Sequence, residues 1–184
     1  PDAIVTVNGK TMTTEALDNA RKYSEASGTE FTDMNVYQVI NNFVTQTIML
    51  REAEKRGIVV ENSEIEAYIA EQKELMRQYI ADNPEIADSI AAYYREQGIT
   101  VDGYYETSDG NEQCRKAVML KKLAEKLEDD YDKATASQEV KELKSATKLY
   151  YELYRKRYEK ATILINQKNV DGYIETYHIK KSVT

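Results

Sequence analysis

The sequence predicts a mainly α-helical fold with a small β element joining an N-terminal strand to a C-terminal one. Three observations predict it. The 184 residues include only 7 Gly and 2 Pro, too few turn-formers for a many-stranded sandwich. Several long stretches repeat apolar residues at three- and four-residue steps. The two ends carry β-prone segments, Ala3–Val7 and Ala161–Ile165. The length suits one domain over 1–184, with room for a helical sub-lobe at about 84–135.

Taken in order, Ala3–Val7 reads as a strand, Asn8-Gly9 as a tight hairpin turn and Lys10–Met12 as a brief return strand. Thr13 or Thr14 can cap a first helix from Glu15 to Ala26, which Gly28 ends. The next helix carries Val36, Val39, Ile40, Phe43, Val44 and Ile48 on one face and stops at Gly57. Ile58–Val60 forms an extended link. Ser63 with Glu66 then reads as a capping box, ahead of a helix whose face holds Ile65, Tyr68, Ile69, Leu75, Met76, Tyr79 and Ile80. Asn83-Pro84 opens a helix with Ile86, Ile90, Tyr93 and Tyr94, closed by Gly98. Thr100 can cap another, which Ser108–Asn111 interrupts before Ala117, Leu120, Leu123 and Leu127 resume the repeat. Ser137 can cap a last long helix with Val140, Leu143, Thr147, Tyr150, Tyr154 and Tyr158 along a narrow seam. Ala161–Ile165 reads as a strand, and Tyr173–Tyr177 as a weaker one after Asp171-Gly172.

A net charge of −7, from 32 acidic and 25 basic residues, argues against a nucleic-acid partner. Cys114 is the only cysteine, so neither an intrachain disulfide nor a thiolate zinc site is expected. No stretch has the length of a membrane span. The acidic run Glu128–Asp132 lacks the sharp-turn glycine and closing glutamate of a calcium loop and reads as a solvated helix end, so no metal is expected. Cys114 and His178 sit near no recognisable nucleophile elbow or oxyanion loop, and no phosphate-cradling glycine motif occurs. Neither a catalytic residue nor a cofactor is assigned.

Tyrosine stands out, with 15 copies against 2 Phe and no Trp. Tyr93-Tyr94, Tyr104-Tyr105 and Tyr150-Tyr151 are adjacent pairs on helices, where neighbours point about 100° apart and one of each pair can stay wet. A ring with a hydroxyl tip can hold an apolar client side chain and still tolerate water when empty. The candidate polypeptide-binding residues are therefore Met76, Tyr79, Tyr93, Tyr94, Tyr104, Tyr105, Tyr150, Tyr154 and Tyr158.

Four segments in order carry a family resemblance. They are Ile4–Lys10 with Thr13–Leu17, Ile48–Ile58 continuing into Val60–Glu66, Gly98–Tyr105, and Tyr154–Ile165. Together they resemble the N-terminal chaperone region of the SurA and PrsA foldases, which is related to trigger factor. The most specific piece is a helix ending in Ala53-Glu54-Lys55-Arg56-Gly57-Ile58, then a short extended step and an acidic helix start. The resemblance implies a multi-helix SurA-N-like domain outside the cytoplasm that binds unfolded or extended polypeptides without ATP. A leader or lipid anchor cut away before Pro1 is part of that expectation. In those foldases the exit strand opens a parvulin prolyl-isomerase unit whose active site uses histidines. Here His178 is the sole histidine and the sequence after Ile165 is short, so the implied module lacks the isomerase. The alternative is an assembly module that docks a fixed partner, or a second copy as a homodimer, through the seam of Tyr150, Tyr154 and Tyr158.

Overall fold

The computed structural model describes residues 1–134 and 146–182, with side chains of 131–134 and 146–147 left aside. It is mainly helical with one small antiparallel sheet. Strands β1 (Ala3–Val7), β2 (Lys10–Thr13) and β3 (Ile163–Ile165) lie in the order β2-β1-β3. The helices are α1 (Thr14–Ala26), α2 (Asp33–Lys55), α3 (Asn62–Asp82), α4 (Ala87–Glu96), α5 (Ser108–Ala134), α6 (Ala146–Tyr158) and α7 (Gln167–Thr176). Short 3₁₀ turns at Pro84–Ile86 and Asp102–Glu106 precede α4 and α5.

The sheet ties the two ends of the chain together, as the sequence predicts. Asn8 and Gly9 both take positive φ, 49° and 85°, which a two-residue hairpin needs to match strand twist. β1 is the central strand, with Val5 opposite Met12 on one side and Ile165 on the other. A register shift between Ala3 and Val5 turns Ile4 and Val5 both inward, and both are buried. The Asn8 side chain accepts from the Thr162 backbone at 3.0 Å and closes the far end of the β1–β3 pair.

Around this sheet α2 supplies the main core. Val36, Ile40, Val44, Ile48, Met49 and Ala53 are buried there, against Leu17 of α1, Leu123 and Leu127 of α5, Leu153 of α6 and Val170 of α7. The Glu52 carboxylate lies under this layer at 4% exposure. Arg157 of α6 donates to it at 2.6 Å and Arg56 at 2.9 Å, while Arg56 reaches Asp130 of α5 at 3.6 Å. The Arg157 hydrogen bond holds the Glu52 carboxyl below the usual carboxylate range, against the opposing effect of burial. Three helices are thereby pinned around one charge.

Several local expectations change. Tyr173–Tyr177 lies in or at the end of α7 and is not a strand. The Asn166 side chain accepts from the Asn169 backbone to cap α7, and Val170, Tyr173 and Ile174 follow a helical repeat that buries the first two. Asp171-Gly172, which reads as a turn, sits within the helix. The capping box of α3 is formed by Glu61 and Glu64, with the Glu61 backbone donating to the Glu64 carboxylate at 2.8 Å, so Ser63 lies inside the helix. Ser108–Asn111 opens α5 and does not break it. Thr107 caps this start by accepting from Gly110 N at 3.0 Å, and a Cβ on Gly110 would lie 2.1 Å from the Tyr104 carbonyl oxygen. Thr100 caps only the 3₁₀ turn, accepting from Gly103 N at 2.9 Å. The expected cap at Ser137, with Val140 and Leu143, lies outside the described residues, as does the side chain of Thr147.

Candidate functional site

The amphipathic face of α3 has two halves with different fates. Ile65, Tyr68 and Ile69 pack beneath α5 and the second 3₁₀ turn, with Cys114, Tyr104 and Tyr105. One and two turns further on, Gln72, Leu75, Met76 and Tyr79 continue the same stripe but meet no covering helix among the described residues. Leu75 is 52% exposed and Tyr79 41%. They form one wall of a cleft of about 610 Å³. The opposite wall comes from the C-terminal turns of α1, where Tyr23 stands, and from the first turns of α2, with Phe31 before them and Gln38, Val39 and Asn42 on them.

Among the described residues no charged side chain lines this cleft, in a chain that is 31% Asp, Glu, Lys and Arg. Two features produce that neutrality. From Met34 to Leu50 the sequence of α2 has no charged residue. On α3 the cations turn sideways: Arg77 donates to Asp102 at 2.7 Å and Lys73 to Glu106 at 3.4 Å, both toward the 3₁₀ turn. The cleft surface is therefore aromatic, aliphatic, amide and hydroxyl, the last from Ser24, Ser27 and Thr29. None of its described lining residues is a carboxylate, an imidazole, a thiol or a cation.

Of the residues singled out in the sequence, the structure brings Met76, Tyr79 and Tyr105 to this cleft. Tyr93, Tyr94 and Tyr104 stand behind it in a run of ring contacts that also takes in Tyr23 and Tyr105. Centroids are 5.6 Å apart for Tyr23–Tyr93, 5.0 Å for Tyr93–Tyr94, 5.8 Å for Tyr94–Tyr104 and 5.4 Å for Tyr104–Tyr105. Tyr94 and Tyr105 are buried, at 7% and 9% exposure, and burial raises the pKa of both phenols, so each stays a neutral donor. Tyr150 and Tyr154 pack on the main core from α6, and Tyr158 lies half-exposed beside Tyr154 at 5.8 Å. The α6 seam and the cleft are separate places.

No family model, curated protein or solved structure matches this chain. Function has to be argued from the geometry.

Three further features bear on chemistry. Cys114 is buried and its thiol pKa is pushed up by burial, as for a core thiol. Among the described residues, no group of three or more His, Cys, Asp or Glu is placed to hold a metal, and no helix is long and apolar enough to cross a membrane. Where α7 docks on α1, the Tyr173 hydroxyl donates to Asp18 at 3.0 Å and accepts from Arg21 at 3.4 Å, while the Arg21 guanidinium lies 4.4 Å from the centre of the Tyr177 ring. Burial, the largest cause, pushes Tyr173 up to about 12. This junction clamps the C-terminal helix in place.

The sequence reading missed Tyr23, Phe31 and the amides of α2 as cleft residues. The signal for α2 was present as its seventeen-residue uncharged stretch. For Tyr23 and Phe31 there was none, because only the packing of α1 against α2 and α4 turns them toward α3.

Proposed function

We propose that this chain is an ATP-independent, non-enzymatic polypeptide-binding module, of the holdase type found in the chaperone region of SurA and PrsA, acting outside the cytoplasm. The observation that carries the reading is the open half of the α3 stripe. Leu75, Met76 and Tyr79 face Tyr23, Phe31 and Val39 across an uncharged cleft. An amphipathic helix normally buries its apolar face within its own fold, and one left half-uncovered marks a surface for another molecule. Pairing of β1 with β3 also accords with the family resemblance, though small sheets that join chain ends occur in many folds. The acidic exterior keeps such a surface soluble.

The test is aggregation of a chemically denatured client diluted into buffer with this chain present. Wild type is expected to suppress light scattering at a few-fold molar excess, and Leu75→Ser with Tyr79→Ala to lose most of that effect while melting normally. Absence of suppression by the wild-type chain overturns the reading.

A second reading, docking of a fixed partner or a second copy, is favoured by a different surface. Leu164 on edge strand β3 is 65% exposed, and Tyr151 and Tyr158 on α6 are also exposed. Sedimentation showing a concentration-dependent dimer that Leu164→Lys dissociates would favour it.

A further inference from the structure

The cleft beside α3 does not end at Asn42. Val39 and Asn42 also line a second depression of about 650 Å³, which runs along α2 past Phe43 and Gln46 toward β2 and the start of α5. The two chambers together follow α2 from Asn35 to Leu50, about 22 Å of helix. That is the span of roughly six or seven residues of extended chain.

Along this channel the outward face of α2 carries Gln38, Asn42 and Gln46, four residues apart. Residues at i and i+4 lie on one inclined row and rise about 6 Å per step. An extended polypeptide presents the same face every second residue, about 6.7 Å apart. The two repeats agree to within the reach of an amide side chain. Each amide offers both a donor and an acceptor, as a peptide group requires. Among the described residues these three exposed side chains make no hydrogen bond within the protein, so that capacity is free where they line the channel. Asn35, one turn before, differs: its carboxamide oxygen is engaged by the Thr32 backbone at 2.8 Å and closes the cap of α2.

We propose that Gln38, Asn42 and Gln46 form an amide ladder that reads the backbone of an extended, uncharged polypeptide segment lying along α2. The apolar side chains of the segment enter the chamber walled by Leu75, Met76 and Tyr79. The proposal rests on the polypeptide-binding reading and adds its chemistry: recognition through the client main chain, tolerant of sequence and insensitive to salt. Charge matching supports an uncharged occupant: the described lining of the first chamber holds no ionised group to pair with, and the second is lined by two cations and two anions, Lys10, Lys116, Glu15 and Asp109, with no net charge. A segment carrying a charge there would be desolvated without compensation.

The experiment is fluorescence anisotropy with three labelled, end-capped heptapeptides of alternating leucine and threonine: unmodified, N-methylated at alternate residues, and stapled as a helix. The unmodified peptide is expected to bind equally at low and high salt, with N-methylation weakening it about 10-fold or more. Gln38→Ala, Asn42→Ala and Gln46→Ala should each weaken it about 3- to 10-fold, the effect of one net hydrogen bond. Their melting curves should be unchanged, because the residues are solvent-facing and alanine favours helix. Equal binding of the N-methylated peptide, or tighter binding of the stapled helix, overturns the ladder. Loss of aggregation suppression together with no peptide binding in the wild type overturns both readings. Suppression without peptide binding overturns the ladder alone.

Discussion

The core around β1 and α2 and the margin around α3 and α4 solve the same problem with different side chains. The core is aliphatic: Ile4, Leu17, Ile40, Met49 and Leu123 are shut away from water, and the one buried charge among the described residues, Glu52, is held by two arginines. The margin is held by tyrosine rings at 5.0–5.8 Å, with only Ile90 among its large residues fully enclosed. Aliphatic surface stabilises roughly in proportion to the area removed from water and has no polar group to leave at the boundary, so it favours closure. A phenol ring buries its body and leaves its hydroxyl at the boundary, so it can line an opening without a large solvation penalty. The cleft lies on the tyrosine side, with Leu75, Met76 and Val39 as its aliphatic wall.

The comparison can be broken most directly in the core. Leu123→Ala is expected to cost about 3–5 kcal/mol in urea unfolding, because a fully enclosed site cannot collapse around the lost volume. A cost below about 1 kcal/mol would mean that the two regions do not differ in packing. At the seam between them, Gly110→Ala is expected to cost about 3 kcal/mol, since the added carbon would meet the Tyr104 carbonyl oxygen and push the 3₁₀ turn from α5.

Glu52→Gln should cost about 2 kcal/mol, less than a fully enclosed ion pair because Arg157 keeps 38% of its side-chain exposure. Its pH dependence gives a second measurement. The folded carboxyl titrates below its unfolded value, so its contribution is complete above the ordinary carboxylate range. That contribution is lost as the pH falls through the folded value. Acid titration of the Glu52→Gln protein should therefore show a shallower loss of stability than wild type in that window.

The smallest effects belong to the margin. Tyr94→Phe is expected to change stability by no more than about 1 kcal/mol, because ring packing is retained and the hydroxyl makes no hydrogen bond among the described residues. Leu75→Ser should stay within about 0.5 kcal/mol of wild type in melting and still reduce client capture. A large stability loss there would place Leu75 in a packed core and close the cleft.

Most of the fold was legible in the sequence because its signals are local. Asn8-Gly9 sets its own turn, and the Val36–Ala53 repeat marks the buried face of α2 within a single helix. The error at Tyr173–Tyr177 arose where a short segment carried both patterns. There β-prone residues competed with a three- and four-residue repeat, and the Asn166 cap decided for helix. The site was half legible. Met76 and Tyr79 lie on a recognisable stripe, but the same periodicity runs through Ile65 and Tyr68, and nothing in the spacing separates the covered half from the open one.

The sequence by itself determined most of the helices, the hairpin, the β-prone character of the two ends and the absence of charge along α2. Those follow from backbone hydrogen bonding and side-chain periodicity within short windows. The tertiary structure alone decided which apolar face was left without a partner. Whether α5 reaches the second half of α3 depends on how the two helices cross, through contacts such as Ile65 with Tyr105 and Cys114, tens of positions apart, that no local pattern encodes.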